Sequence, residues 1–160
     1  MLILSKGGIV MTQEDKEIVF KDICARLPYG VKIVIQDTFK YSIVSREYHV
    51  LDVSNFSDIF CFNYKKFDKR MKKAMRERPN DIVIKPYLFP LSSMTEEQER
   101  EYNMLRDFVY THHYEYEDIV EDMKLCDNWG PIDYLNANHF DYRGLIPMGL
   151  AIDATGKNIY

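Results

Sequence analysis

The stretch Phe20–Asp37, FKDICARLPYGVKIVIQD, changes its hydrophobic period half-way along, and that change decides the fold class. Before Pro28, the apolar residues Phe20, Ile23, Cys24 and Leu27 recur at i, i+3, i+4 and i+7, the spacing of one helical face. Thr12 can cap such a helix, Glu14 and Asp15 suit its positive end, and Pro28 with Gly30 stops it. A helix is therefore predicted over 12–27. After Gly30 the run Val31-Lys32-Ile33-Val34-Ile35 is β-branched and bounded by Asp37, which is strand composition. Tyr41–Ser45, Tyr48–Val53 and Ile59–Asn63 follow with short polar breaks. Connections this short cannot carry parallel crossovers, so a small antiparallel sheet of three to four strands is predicted within 31–63.

Further along, Tyr64–Arg78 returns to helical spacing, with Phe67, Met71, Ala74 and Met75 on one face and Pro79 as its stop. Ile82-Val83-Ile84 reads as one more short strand. KPYLFPLSSMTEEQ, with Pro86 and Pro90, reads as an extended connector. Thr95 with Gln98 fits a capping box, and Tyr102, Leu105, Phe108, Val109 and His112 form a face, so a helix is predicted over 95–111. An acidic helix over 115–126 and a short one over 131–137, with Pro131 in its first turn, complete the set. Residues 145–154 close the fold as a short helix or strand. A strand cluster flanked by helices is an α+β pattern. Met11 directly precedes a helix start, so residues 1–10 are expected as a flexible N-terminal extension of a single domain over 11–160.

Composition is that of an ordinary globular chain, 46% hydrophobic and 29% charged, but 14% aromatic with twelve Tyr and nine Phe. Tyr combines contact area with a hydroxyl and suits half-buried and binding surfaces. Charge is uneven. Lys65–Arg78 holds eight basic residues against Asp68 and Glu77, whereas Thr95–Asp127 holds eleven acids against three bases. Cys24, Cys61 and Cys126 are odd in number and form no CxxC pair, which argues against a disulfide framework or zinc ribbon and fits a reducing cytoplasm. No apolar run approaches the roughly 18 residues of a membrane span.

Candidate chemistry concentrates in Trp129–Ile146, WGPIDYLNANHFDYRGLI. If 138–143 were extended, His139, Asp141 and Arg143 would share one face, with Asn136, Asn138 and Tyr142 beside them. Such a face presents imidazole, carboxylate and guanidinium to a polar ligand, with aromatic rings for stacking. The competing reading is a structural clasp after a helix end, with Asp141 and Arg143 held by backbone or by each other. His112-His113 with Glu115 and His139 lacks the HxxxH or HExxH spacing of a metal site, so no metal and no cofactor is expected. No glycine-rich phosphate loop or nucleophile motif occurs. Lys69, Arg70, Lys73 and Arg76 on the basic helix are the residues that would meet phosphates if the chain bound nucleic acid.

Three blocks, KDICARLPYGVK, KPYLFPLSSMTEEQ and DYLNANHFDYRGLIPMGLAIDA, resemble blocks of a group of small proteins carried by phages and mobile elements of anaerobic gut bacteria. The resemblance implies a genomic setting, a bacterial host cytoplasm and Met11 as the usual start of the domain. It implies no reaction, and Lys32–Arg78 lies largely outside the blocks. Size, aromatic content, charge polarity and the missing catalytic motif lead to a non-enzymatic accessory protein. It would bind or sequester a nucleotide-like ligand or a host protein, with an anti-defence role. A small hydrolase using His139 as base and Asp141 as orienter is one alternative. A nucleic-acid-associated protein using the basic helix is the other.

Overall fold

The computed structural model describes residues 3–5, 8–38, 44–53, 59–62, 69–111 and 130–160. Elements follow in the order β1 (Ile3–Ser5), β2 (Gly8–Val10), α1 (Gln13–Arg26), β3 (Lys32–Asp37), β4 (Val44–Val53), β5 (Ile59–Phe62), α2 (Lys69–Glu77), β6 (Ile82–Leu88), α3 (Glu96–Thr111), α4 (Pro131–Ala137) and β7 (Ile152–Asp153). The architecture is α+β. A five-stranded sheet in the order β5-β4-β3-β6-β7 carries four antiparallel strands, and the two-residue β7 lies parallel to the end of β6. Within residues 1–10, expected as a flexible extension, Ile3–Ser5 and Gly8–Val10 pair as an antiparallel ladder. The predicted helix over 115–126 lies outside the described residues.

Local chemistry accounts for the elements. Thr12 caps α1 through a capping box: its hydroxyl accepts from Asp15 N–H at 3.1 Å, and the Asp15 carboxylate accepts from Thr12 N–H at 3.0 Å. A 3₁₀ turn over Leu27–Tyr29 then leads into Gly30 at φ 78°, a left-handed conformation that costs glycine little and lets the chain turn into β3. Thr95 and Gln98 make the predicted box at α3, with reciprocal bonds of 2.9 and 3.2 Å.

Two strand boundaries differ from expectation. β4 is one continuous strand where two were predicted, because its Arg46-Glu47 break pairs through backbone groups that are indifferent to side-chain polarity. β6 runs on to Leu88 through Pro86, which stands opposite Ile33 in the ladder. Of the connector read as extended from Lys85 onward, the first four residues belong to the sheet and Leu91–Ser93 form a 3₁₀ turn, so it is extended only in part.

The inward face of α1 is also rotated from the one predicted. Val19 and Ile23 are buried, together with Asp15, Asp22 and Arg26, while Phe20, Cys24 and Leu27 are only partly covered. Val19 and Ile23 join Ile33, Ile35, Ile84 and Leu88 in the main core, which Leu145 and Leu150 close from the C-terminal side. Each such side chain contributes about 1.5–3 kcal/mol by leaving water. Val34 and Tyr87, on the other face of β3 and β6, pack with Ala154 and the partly buried Ile152 and Ile159. Tyr134, Leu135 and Phe140 form a third cluster that seats α4 against Tyr102 and Leu105 of α3.

Candidate functional site

The chain after α4 is held by a buried ion pair from α1. Asp22 and Arg26 are both fully buried, four residues apart, and joined by two bonds, Nε to Oδ2 at 2.8 Å and Nη2 to Oδ1 at 3.0 Å. The remaining guanidinium capacity goes to the carbonyls of Leu135 (3.3 Å) and Phe140 (2.8 Å), which end α4 and start the following loop. Arg143 adds a second cation, its Nε 3.3 Å from Asp22 Oδ1. The Tyr142 ring lies near both guanidinium groups, at 5.4 Å from Arg26 and 4.8 Å from Arg143. The Asp141 carboxylate accepts the N–H groups of Leu145 (2.8 Å) and Ile146 (2.7 Å). Tyr142 donates its hydroxyl proton to Asn136 Oδ1 at 3.1 Å.

Residues 138–143 are therefore not an extended strand with one functional face. They form a turn after α4, with His139 at φ 57°. Phe89 N–H donates to the His139 carbonyl and Asp141 N–H donates to the Phe89 carbonyl, at 2.9 and 2.8 Å, which docks the turn alongside the end of β6. Asp141, Tyr142, Arg143 and Asn136 belong to this clasp. No hydrogen bond among the described residues joins Asp141 to the His139 imidazole, so the base-and-orienter pairing lacks its contact.

His139 points elsewhere. It is 5% exposed, and its Nδ1 is the one buried side-chain nitrogen or oxygen among the described residues without a hydrogen-bond partner. Burial, with the positive charges of Arg26 and Lys32, lowers its pKa from 6.5 to about 4, against a smaller opposing hydrogen bond with the Tyr29 backbone. The imidazole is thus neutral at pH 7. The Tyr160 ring lies flat on it, with centroids 3.7 Å apart and planes 11° from parallel.

Beside this stack is a recess of about 610 Å³ bordered by Tyr29, Lys32, Phe89, Ser93, Gln98, Asn138, His139 and Tyr160. Its floor comes from the start of β3, the end of β6 and the end of α4. Lys32 is the charged side chain on this border, with Nζ 5.3 Å from the centre of the Tyr160 ring. Tyr29 donates to Asp133 Oδ1 at 3.3 Å, which fixes one rim. Asn138 donates through Nδ2 to the Tyr134 carbonyl at 3.0 Å and leaves its amide oxygen for other partners.

Set against known protein families, curated proteins and solved structures, the chain matches none. Of the residues singled out in sequence, Asn138 and His139 border the recess, while Asn136, Asp141, Tyr142 and Arg143 lie in the clasp that supports it. Tyr29, Lys32, Phe89 and Tyr160 were not anticipated. They are distant in sequence, and only Lys32 carries a charge that a sequence reading could weigh. On the basic helix, Lys73 and Arg76 are exposed, and Lys73 has a loose contact with Glu77 at 3.8 Å. Arg78 pairs with Asp37 at 2.8 Å. The side chains of Lys69 and Arg70, and His112, His113 and Glu115, lie outside the described residues. Among the described residues no cluster of His, Cys, Asp or Glu could hold a metal, and no helix is long and apolar enough to cross a membrane.

Proposed function

We propose that this chain binds a small, flat, anionic ligand of nucleotide type in the recess beside His139. In this reading it is a non-enzymatic accessory protein of a phage or mobile element, and it acts in the host cytoplasm by sequestering that ligand from a defence pathway. The observation that carries the binding is His139, a buried residue on the border of the recess whose Nδ1 has no partner among the described residues. A buried group left without a partner costs roughly 1–3 kcal/mol, which a ligand atom of matching polarity recovers.

Three further features favour that ligand class. The volume falls within the roughly 300–1,000 Å³ of small-molecule sites. Tyr29, Phe89 and Tyr160 supply aromatic surface, on which any nucleobase stacks. Lys32 sets a positive charge on the border, which suits a phosphate.

The test is a thermal-shift and calorimetric screen with mono-, di- and cyclic nucleotides. Binding only the native state raises its melting point, so a true ligand gives a saturable increase. Lys32→Ala should weaken that ligand about tenfold, the loss of one charge-assisted contact. Arg143→Ala should leave affinity within about twofold, because Arg143 serves the clasp. The nucleotide should be recovered unchanged after incubation, which separates binding from hydrolysis. A screen without a single stabilising nucleotide, or a ligand indifferent to Lys32→Ala, removes this reading.

A further inference from the structure

Tyr160 is surrounded as a bound aromatic ligand would be. Its ring has a flat platform in His139, an aromatic side wall in Phe89 at 6.1 Å and 53°, and a cation in Lys32. Its hydroxyl has both a donor and an acceptor: Lys32 N–H donates to it at 3.1 Å, and it donates to the Tyr87 carbonyl at 3.0 Å. These two backbone groups are not a random pair. The β3–β6 ladder runs outward to Ile33 opposite Pro86, and Lys32 and Tyr87 are the next residues in that register. The phenol oxygen stands between them, at the mouth of the ladder, where a strand pair would otherwise close on itself. Desolvation raises the phenol to about 12, so it remains a proton donor throughout the neutral range.

Tyr160 is nevertheless 41% exposed, and it covers a His139 that is 5% exposed. Its ring belongs to none of the three core clusters, though it packs on Phe89 and bonds the Tyr87 carbonyl at their edge. The slot itself would stay, since His139, Phe89, Lys32 and Tyr87 are positioned by the turn after α4 and by two strands.

The geometry points to a ring-binding site that the chain fills with its own Tyr160, and that takes in its place a ligand ring whose edge both donates and accepts a hydrogen bond. Phenols and the amide edge of a nucleobase share this chemistry. The inference builds on the proposed ligand recess, because the slot opens onto it, but it concerns the ring alone and needs no phosphate. Displacement of Tyr160 would let a base lie on the imidazole while its phosphate meets Lys32. The chain's own ring would then be a competitor that lowers the apparent affinity by the fraction of time it is seated.

The experiment titrates p-cresol and, separately, uridine into the full chain, Tyr160→Phe and Tyr160→Ala, followed by thermal shift and by the imidazole resonances of His139. The Phe variant keeps the ring and loses the hydroxyl bonds, and the Ala variant empties the slot. Apparent affinity for at least one probe should rise from wild type to Phe by about tenfold, the equivalent of the lost hydroxyl bonding, and rise again from Phe to Ala as the competing ring is removed. The imidazole resonances should move when the ring is removed and return as the probe binds. Preference for p-cresol or uridine tells a phenol site from a nucleobase site. Equal affinity in all three proteins, or no uptake of either probe, overturns the inference. If the Ala variant fails to fold, the comparison of wild type with Phe still decides. A chain that takes p-cresol but no nucleotide keeps the ring site and loses the nucleotide reading, whereas a chain that binds a nucleotide with equal affinity in all three proteins keeps that reading and loses the ring site.

Discussion

Lowering the pH from 7 to 4.5 should cost this protein stability through one histidine, and the size of the loss follows from the site. His139 is buried beside Arg26 and Lys32, and its pKa falls from 6.5 to about 4 in the folded chain. The unfolded chain therefore binds this proton more readily than the native one. Stability from the neutral imidazole is complete above pH 6.5 and is lost as pH falls toward 4. Linkage between those two values gives a loss of roughly 2 kcal/mol by pH 4.5 relative to pH 7. Urea unfolding at half-unit steps across this window, on wild type and on His139→Asn, measures it. Asn accepts the positive φ of 57° better than most residues and does not titrate. Carboxylates add losses at the acid end, and His49, lowered by burial and by Lys32, adds one of the same sign. Both contributions are common to the two proteins and cancel in the difference. The wild type should lose about 2 kcal/mol more than the variant over the window. Parallel curves for the two, or an imidazole that titrates near 6.5 by NMR, would refute the argument that burial and neighbouring cations hold it neutral.

The clasp yields three more expectations, all read from denaturant midpoints. Arg26→Ala should cost about 3–5 kcal/mol, because it strips a fully buried carboxylate of its bidentate partner and leaves the Leu135 and Phe140 carbonyls short of a donor. Adding Asp22→Leu to it should recover part of that cost, and a double variant as unstable as the single one would show that the pair is not the source. Arg143→Ala should cost about 1 kcal/mol or less, since its side chain is 35% exposed and Asp22 keeps Arg26; a loss comparable with that of Arg26→Ala would put Arg143 at the centre of the clasp. Asp141→Ala should cost about 1–3 kcal/mol through the orphaned Leu145 and Ile146 N–H groups. Asp141→Asn, which keeps one acceptor oxygen, should cost less, and the reverse order would contradict the assigned bonds.

Much of the fold was legible because it depends on neighbours in sequence. The period change across Pro28 and Gly30 marks α1 and β3, Thr95 with Gln98 marks the start of α3, and Pro131 marks α4. Each is a local rule about dihedrals, capping groups or spacing. Boundaries inside the sheet were less legible. Arg46-Glu47 and Pro86 look like breaks along the chain, yet the backbone ladders of β4 and β6 run through them.

The site was legible in part and for a definable reason. The density of ionisable and aromatic groups after Trp129 singled out the segment that carries His139 and the Asp141, Tyr142 and Arg143 side of the clasp. Sequence alone could not say that Asp22 and Arg26, an i,i+4 pair of the kind usually found on helix surfaces, would be fully buried beneath that segment. Nor could it say that Lys32, Phe89 and Tyr160 would meet around one imidazole. Element types are settled by interactions between residues a few positions apart, and these the sequence determined. Which guanidinium holds the Leu135 and Phe140 carbonyls, and which backbone N–H meets the Tyr160 hydroxyl, depend on groups more than a hundred residues apart along the chain, and only the tertiary structure brings those into contact.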